Sequence, residues 1–130
     1  AGPQQLVIAN RTAEKARQLA FAFAGYGPVE AVGLDRLSGC HYDLVVNATS
    51  ASLSGEMPPL PDVLFAANAL AYDMMYGDQP TVFMQWAEGH GAGQVSDGLG
   101  MLVEQAAASF YLWNEIKPQT EEVIRLVRQM

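Results

Sequence analysis

Three short polar stretches each follow an apolar run, at a point where a buried strand would end. They are Asn10-Arg11-Thr12, Asn47-Ala48-Thr49-Ser50 and Asp73-Met74-Met75-Tyr76. In an open α/β sheet, ligands bind beyond the carboxyl ends of the strands, so side chains at several such ends share one face of the sheet. We therefore interpret the three stretches as parts of one ligand-binding face.

Arg11 is the most informative residue of the first stretch, because a positive charge at a strand end indicates a bound anion. A dinucleotide-binding fold that prefers NAD usually has an acid at this point, which accepts from the ribose 2′-hydroxyl. An arginine can instead pair with a 2′-phosphate and lay its planar guanidinium on the adenine face. Amides at the start of the helix that follows Thr12 add donors for the same anion. The alternative is a solvated arginine beside an ordinary helix cap.

The other strand ends have weaker signals. Thr49 and Ser50 suit an Asx or Ser turn, and Ser50 lacks the GxSxG surroundings of a nucleophile. Asp97-Gly98-Leu99-Gly100 opens a long apolar segment, where paired glycines permit close approach of the backbone to a ligand or close helix packing. On that segment, the Gln105 amide is able to donate to a substrate hydroxyl or carboxylate; the alternative is a glutamine that faces solvent.

Alternating strands and helices position these stretches. Apolar runs predict strands over 6–9, 43–48 and 69–73, with weaker strands over 30–34 and 94–96. Helices are predicted from a Thr12 N-cap to Gly25, over 80–88, from Leu99 onwards, and after Pro118, which suits a first helical turn. Residues 52–62 are predicted to be a loop. The pattern predicts an α/β fold with a mainly parallel sheet flanked by helices. The apolar residues predicted to form the inner faces of the last two helices are Leu99, Leu102, Val103, Ala106, Phe110, Trp113, Val123, Leu126, Val127 and Met130.

Composition excludes several classes of function. The chain has 130 residues, enough for one domain with a sizeable core, and a net charge of -7, which disfavours nucleic acid and anionic membranes as partners. Cys40 is the only cysteine, which fits a reducing cytoplasm, and no apolar run is long enough to span a bilayer. His41 and His90 lack companion ligands at metal-binding spacing, so we predict no metal site.

Together, and in this order and spacing, the stretches resemble shikimate dehydrogenase, and Asp97–Ala106 is the most specific of them. That family has a Rossmann-like cofactor domain and reduces 3-dehydroshikimate to shikimate with NADPH, in the chorismate route to aromatic amino acids. The resemblance implies that the adenosine 2′-phosphate of NADP is bound by Asn10, Arg11, Thr12 and Lys15. It further implies that Thr49 and Ser50 lie near the cofactor, that the backbone of Met74 and Gly98 borders the nicotinamide, and that Tyr76 and Gln105 face shikimate.

The chain also departs from the family pattern. Met75 stands where phenylalanine is frequent, an apolar exchange that leaves the chemistry unaltered. The family begins with a substrate domain that carries a catalytic lysine and aspartate, followed by a strand and a glycine-rich loop, and none of these is in the sequence. The resemblance thus implies that residues 1–130 are a partial NADP-binding domain with carboxyl-terminal helices, without catalytic residues.

Two further expectations follow from that departure. The first strand of such a fold is central, between the strands of Val7 and Val45, so either those two edges meet or another chain fills the gap by a strand swap or as a homodimer. The 130 residues alone are expected not to catalyse the reaction. Alternative functions are a quinate/shikimate dehydrogenase with relaxed specificity and an inactive nucleotide-binding or self-associating module.

Overall fold

The computed structural model describes residues 2–51 and 55–129. The chain divides into two compact units: unit 1 comprises Ala1–Tyr42 and Met57–Leu64, and unit 2 comprises Asp43–Glu56 and Phe65–Met130. The strands are β1 (Leu6–Asn10), β2 (Val29–Gly33), β3 (Tyr42–Asn47), β4 (Phe65–Asp73) and β5 (Gln94–Ser96). The α-helices are α1 (Ala13–Phe23), α2 (Val82–Gly89), α3 (Leu99–Asn114) and α4 (Thr120–Val127).

Unit 1 is built on a strand–helix–strand motif. β1 and β2 pair in parallel, from Leu6 opposite Val29 to Asn10 opposite Gly33. α1 packs against both strands through Ala16 and Ala20, which are buried. Small side chains on that face let the helix lie close to the sheet, whereas Leu19 and Phe23 remain about half exposed. The predicted strand, tight turn and helix are confirmed.

Unit 2 contains a three-stranded sheet in the order β3-β4-β5. β4 and β5 pair in parallel, from Leu70 opposite Gln94 to Tyr72 opposite Ser96. α2 packs against both of those strands, with Phe83 and Ala87 buried. Parallel strands flanked by helices confirm the predicted α/β, Rossmann-like class. β4 begins at Phe65, earlier than predicted, and residues 55–62 form neither helix nor strand, as predicted; positions 52–54 of that loop lie outside the described residues.

The last two helices differ from the sequence expectation. α3 forms, but only Leu99 and Val103 of its apolar stripe are buried, while Trp113 is 81% exposed. Leu102 and Phe110 are also exposed, so the prediction that the whole stripe faces a core is wrong. Only the first turns of α3, which contain Leu99 and Val103, lie in the buried region. The later turns extend past it, so their apolar residues remain exposed.

Pro118 is not in the first turn of α4. The cap position is Gln119, with an extended backbone, and the helix begins at Thr120. α4 packs against α3, which covers only part of its apolar face, so Val123, Leu126 and Val127 stay partly exposed and the predicted inward packing is wrong. Met130 lies outside the described residues. In the part of the chain that the structure describes, no helix is long and apolar enough to cross a bilayer.

Candidate functional site

In unit 1 the polar end of β1 forms a tight local turn. The Asn10 Oδ1 atom accepts a hydrogen bond from the Thr12 amide at 2.9 Å, which is an Asx turn. Thr12 occupies the N-cap position of α1 with an extended backbone, but its side chain makes no capping hydrogen bond. The predicted N-cap position of Thr12 is therefore confirmed, and the Asn10 side chain organises the turn.

Two cations lie at this end of α1. Arg11 and Lys15 are both exposed. Neither side chain forms an ion pair with a residue that the structure describes, whereas Arg17, on the same helix, pairs with Glu14 at 3.1 Å. The positive end of the helix dipole adds to the field of the two cations. The turn thus presents positive charge that no carboxylate within the described residues neutralises, which suits a phosphate.

In unit 2 the ends of β3 and β4 are joined by buried side chains. Asn47 is 4% exposed and Asp73 is 0% exposed. The Asn47 Nδ2 atom donates to Asp73 Oδ1 at 3.4 Å, and Asn47 Oδ1 accepts from the amide and the hydroxyl of Thr49 at 3.2 and 2.8 Å. Thr49 is thereby held at the strand end, and the exposed Ser50 follows it.

Asp73 also connects β4 to the start of α2. Its Oδ2 atom accepts from the Thr81 hydroxyl at 2.6 Å, and its Oδ1 atom accepts from the Met75 amide at 3.1 Å. The Thr81 oxygen in turn accepts from the Met84 amide at 3.2 Å and so caps α2. A buried carboxylate that accepts several hydrogen bonds is held in one position. Asp73 therefore fixes the backbone conformation at Met75.

Gly98 lies against the backbone that Asp73 organises. The Gly98 amide donates to the Met75 carbonyl at 3.0 Å, and the Met74 amide donates to the Asn47 carbonyl at 3.1 Å. A Cβ atom on Gly98 would lie 2.1 Å from the Met74 carbonyl oxygen, so only glycine fits there. The structure therefore brings Met74 and Gly98 together. The side chains of Met74 and Tyr76 are exposed by 42% and 46%. Gln105 is exposed on α3.

Asp97, one residue before Gly98, is held from the other end of unit 2. The Arg128 guanidinium donates to both of its carboxylate oxygens, from Nη1 to Oδ2 at 2.8 Å and from Nη2 to Oδ1 at 2.6 Å. Hydrogen bonding to Asp97 raises the pKa of Arg128 above its ordinary value, although burial acts in the opposite direction. Asp97 Oδ1 also accepts from the Leu99 amide at 3.2 Å, at the start of α3.

Five residues of this arrangement were not predicted as site residues: Asn47, Asp73, Thr81, Asp97 and Arg128. Asn47 and Asp73 were recognisable as polar residues that end apolar runs, and Asp97 as the residue before a glycine pair. Thr81 and Arg128 had no such signal, because their partners are distant in sequence. Asn47 and Asp73 belong to the polar strand ends that the sequence defines, and the contacts of all five residues determine how those ends are held.

The fold and these strand ends define the class: a Rossmann-like α/β protein with polar groups at the carboxyl ends of its strands. Residues 98–128 match the sequence profile described as "Shikimate 5'-dehydrogenase C-terminal domain". A protein from Cellvibrio japonicus named shikimate dehydrogenase (NADP(+)) is 57% identical over 127 residues, which is 98% of this chain and 46% of that protein.

Solved structures agree with the sequence comparison. The Ael1 enzyme from Pseudomonas putida is 44% identical, with a TM-score of 0.87, over 96% of this chain and 46% of that one. Shikimate 5-dehydrogenase from Thermus thermophilus, solved with NADP(H) and shikimate, is 30% identical, with a TM-score of 0.76, over 96% of this chain and 46% of that one. The chain is similar over almost its whole length to part of these shikimate dehydrogenases, and it spans about half the length of the relatives it matches.

Proposed function

We propose that the full-length protein that contains this chain is an NADP-dependent shikimate dehydrogenase, which reduces 3-dehydroshikimate to shikimate in aromatic amino acid biosynthesis. The observation that carries this proposal is Arg11, an exposed cation without a carboxylate partner among the described residues, at a strand end beside the first turn of α1. The high identity to proteins named for the same NADP-dependent activity supports it.

Unit 1 selects the cofactor in this proposal. Arg11 and Lys15 neutralise the adenosine 2′-phosphate, and the guanidinium of Arg11 is able to form two parallel hydrogen bonds to phosphate oxygens. The turn that Asn10 stabilises keeps Thr12 and the first amides of α1 at the same strand end. A site that prefers NAD usually has an acidic residue here, which accepts a hydrogen bond from the ribose 2′-hydroxyl. This turn has cations and amide donors instead.

Unit 2 supports the reacting end of the cofactor and the substrate. NADPH, when bound, supplies the hydride. The backbone at Met74 and Gly98 borders the nicotinamide, and the close contact between those two residues makes this border rigid. Thr49 and Ser50 lie at the neighbouring strand end, while Tyr76 and Gln105 present polar groups that suit the hydroxyls and carboxylate of shikimate. These roles agree with the donor chemistry of the residues present.

The deciding experiment is a steady-state assay of the full-length protein with shikimate or quinate and with NADP or NAD. We expect turnover with shikimate and NADP to exceed the other three combinations. Comparable turnover of quinate, or with NAD, favours the quinate/shikimate dehydrogenase alternative. No turnover in any combination, together with NADP binding, favours a nucleotide-binding module. The 130-residue chain alone, assayed in parallel, is expected to be inactive, because no residue of it was assigned as the proton donor that ketone reduction requires.

Two further proposals concern location and assembly. We propose a cytoplasmic location, because the single Cys40 is a free, exposed thiol. We also propose that the isolated 130-residue chain self-associates through its strand edges, as a homodimer or by exchange of a strand, because an unpaired strand edge readily pairs with another chain. Light scattering of the purified chain tests the second proposal, and a monomer at all concentrations contradicts it.

A further inference from the structure

Asp97 is a buried carboxylate whose two oxygens both have donors. It is 6% exposed, and its Oδ1 atom receives the Leu99 amide and Arg128 Nη2, while Oδ2 receives Arg128 Nη1. This bidentate arrangement restricts both the position and the orientation of the carboxylate. Removal of Arg128 would leave a buried negative charge with one amide donor, which is costly unless the turn moves towards water.

The turn that carries Asp97 has little freedom in the intact protein. The next residue, Gly98, donates to the Met75 carbonyl at 3.0 Å, and its α-carbon lies so close to Met74 that no side chain fits. A shift of Asp97 therefore changes the contact between Gly98 and the Met74–Met75 backbone. That contact is the border of the nicotinamide site in the proposed function.

Arg128 reaches this turn from the end of α4, and a separate bond holds the start of that helix. The Thr120 hydroxyl donates to Glu104 Oε1 at 2.5 Å, which fastens the first residue of α4 to α3. Arg128 follows the last helical residue, Val127. Loss of the Arg128 side chain thus releases the Asp97 turn while the other attachment of α4 remains.

We propose that Arg128 is a positioning residue for hydride transfer. Its bidentate ion pair with Asp97 holds Gly98 against the Met75 carbonyl and so fixes the backbone that borders the nicotinamide. The inference rests on the proposed function. It assigns to the carboxyl-terminal helix a role in turnover, although Arg128 itself is expected to touch neither cofactor nor substrate.

The test compares three variants of the full-length protein. Arg128→Met removes the charge and keeps the aliphatic stem, and Arg128→Lys keeps the charge but loses the bidentate geometry. Arg125→Met is the matched control, because Arg125 lies on α4 with a side chain 62% exposed and only a 3.9 Å ion pair to Glu122. The readouts are kcat with shikimate and NADP, inhibition by 2′,5′-ADP, and hydrogen exchange at the Gly98 amide.

We expect Arg128→Met to lower kcat roughly tenfold or more, since small displacements of reacting groups reduce rates strongly. Inhibition by 2′,5′-ADP, which reports the adenosine end, should stay within about twofold, because that end is assigned to unit 1. Exchange at Gly98 should accelerate about tenfold as its hydrogen bond opens more often. Arg128→Lys should be intermediate, and Arg125→Met should match wild type.

Three results would overturn the inference: kcat within about twofold of wild type, a parallel loss of kcat and 2′,5′-ADP binding, or unchanged exchange at Gly98. The parallel loss would indicate a general structural role. Should Arg128→Met fail to fold, Arg128→Lys decides by the same readouts. If the wild-type protein itself does not oxidise shikimate with NADP, the proposed function fails, and exchange at Gly98 still shows whether Arg128 positions the turn.

Discussion

The two units hold their polar groups in opposite ways. In unit 1, Arg11, Thr12 and Lys15 are exposed, and the hydrogen bond from the Thr12 amide to Asn10 links residues two positions apart. In unit 2, Asn47, Asp73 and Asp97 are buried, and their hydrogen bonds connect different strands and helices. The first arrangement resembles a charged surface, whereas the second resembles a small polar core.

In the proposed function, this difference corresponds to two tasks. A phosphate is recognised by charge, and long cationic side chains are able to do this from an exposed position with little packing. A flat ring that must meet its substrate in a fixed orientation needs a border that does not move, so the groups that build it are buried and cross-linked. Substitution of the exposed Arg11 or Lys15 in unit 1 should therefore change ligand affinity, and substitution of the buried polar groups of unit 2 should change stability and turnover together.

Gly98→Ala should give the largest effect. Its Cβ atom would lie 2.1 Å from the Met74 carbonyl oxygen, which is backbone and unable to move alone. We expect the free energy of unfolding to fall by more than about 3 kcal/mol, measured by urea denaturation. Gly100→Ala is the control: nothing lies within 4 Å of its Cβ position, so stability should rise by about 0.5–1 kcal/mol. Equal effects at both positions would mean that the contact with Met74 is unimportant.

Asp73→Ala should come next, with a loss of about 2–3 kcal/mol, because the Thr81 hydroxyl and the Met75 amide lose a buried acceptor. Urea denaturation and turnover of the full-length protein measure the two consequences. Asp78→Ala serves as the comparison, since Asp78 is exposed and should change stability by less than about 0.5 kcal/mol. A stable, fully active Asp73→Ala protein would show that unit 2 does not depend on its buried network.

Arg11→Ala should leave stability nearly unchanged and weaken NADP far more than NAD. A bidentate charged contact contributes about 1.5–3 kcal/mol, or one to two decades in the dissociation constant, which calorimetry on the full-length protein measures. The control is Arg17→Ala, which removes an exposed arginine that is paired with Glu14. This variant should change the dissociation constant of neither cofactor. An equal loss for NADP and NAD would indicate that Arg11 supports the fold.

Gln105→Ala should have a smaller effect, confined to the substrate. The loss of one neutral hydrogen bond, about 1 kcal/mol, predicts an increase of about fivefold in the KM for shikimate, with NADP binding unchanged. The helix should persist, because alanine is the better helix former. Gln18→Ala, on the exposed side of α1, is the matched substitution. Unchanged shikimate kinetics would remove Gln105 from the site.

The smallest effect concerns pH and lies at the start of β3. Burial, followed by a hydrogen bond with the Cys40 side chain, raises the pKa of Tyr42 to about 12. The folded state thus favours the protonated phenol, and this contribution to stability is complete below about pH 10 and is lost between pH 10 and 12. Denaturation midpoints across that range should fall less in Tyr42→Phe than in wild type. A parallel decline in both proteins would contradict the prediction.

Local sequence determined much of the fold. The apolar run before Asn10 predicted β1, and the alternating elements predicted the α/β class, because strand and helix periodicities depend on residues a few positions apart. The first half of α3 was correctly given a buried face, but Trp113 and Leu126 were wrongly assigned inward positions. Burial depends on whether a second surface covers a stripe, and amphipathic spacing contains no information about that surface.

The same contrast between local sequence and tertiary packing applies to the site. The sequence by itself determined the tight turn after β1 and the place of Arg11 within it, since both arise within one short segment. Only the tertiary structure decided that Arg128 forms a bidentate ion pair with Asp97, 31 residues away. Likewise, only the contact with the Met74 backbone shows that position 98 has no room for a side chain. Those contacts exist because folding brings together backbone and charged groups that are distant in sequence, and a buried carboxylate such as that of Asp97 is stabilised only when donors surround it.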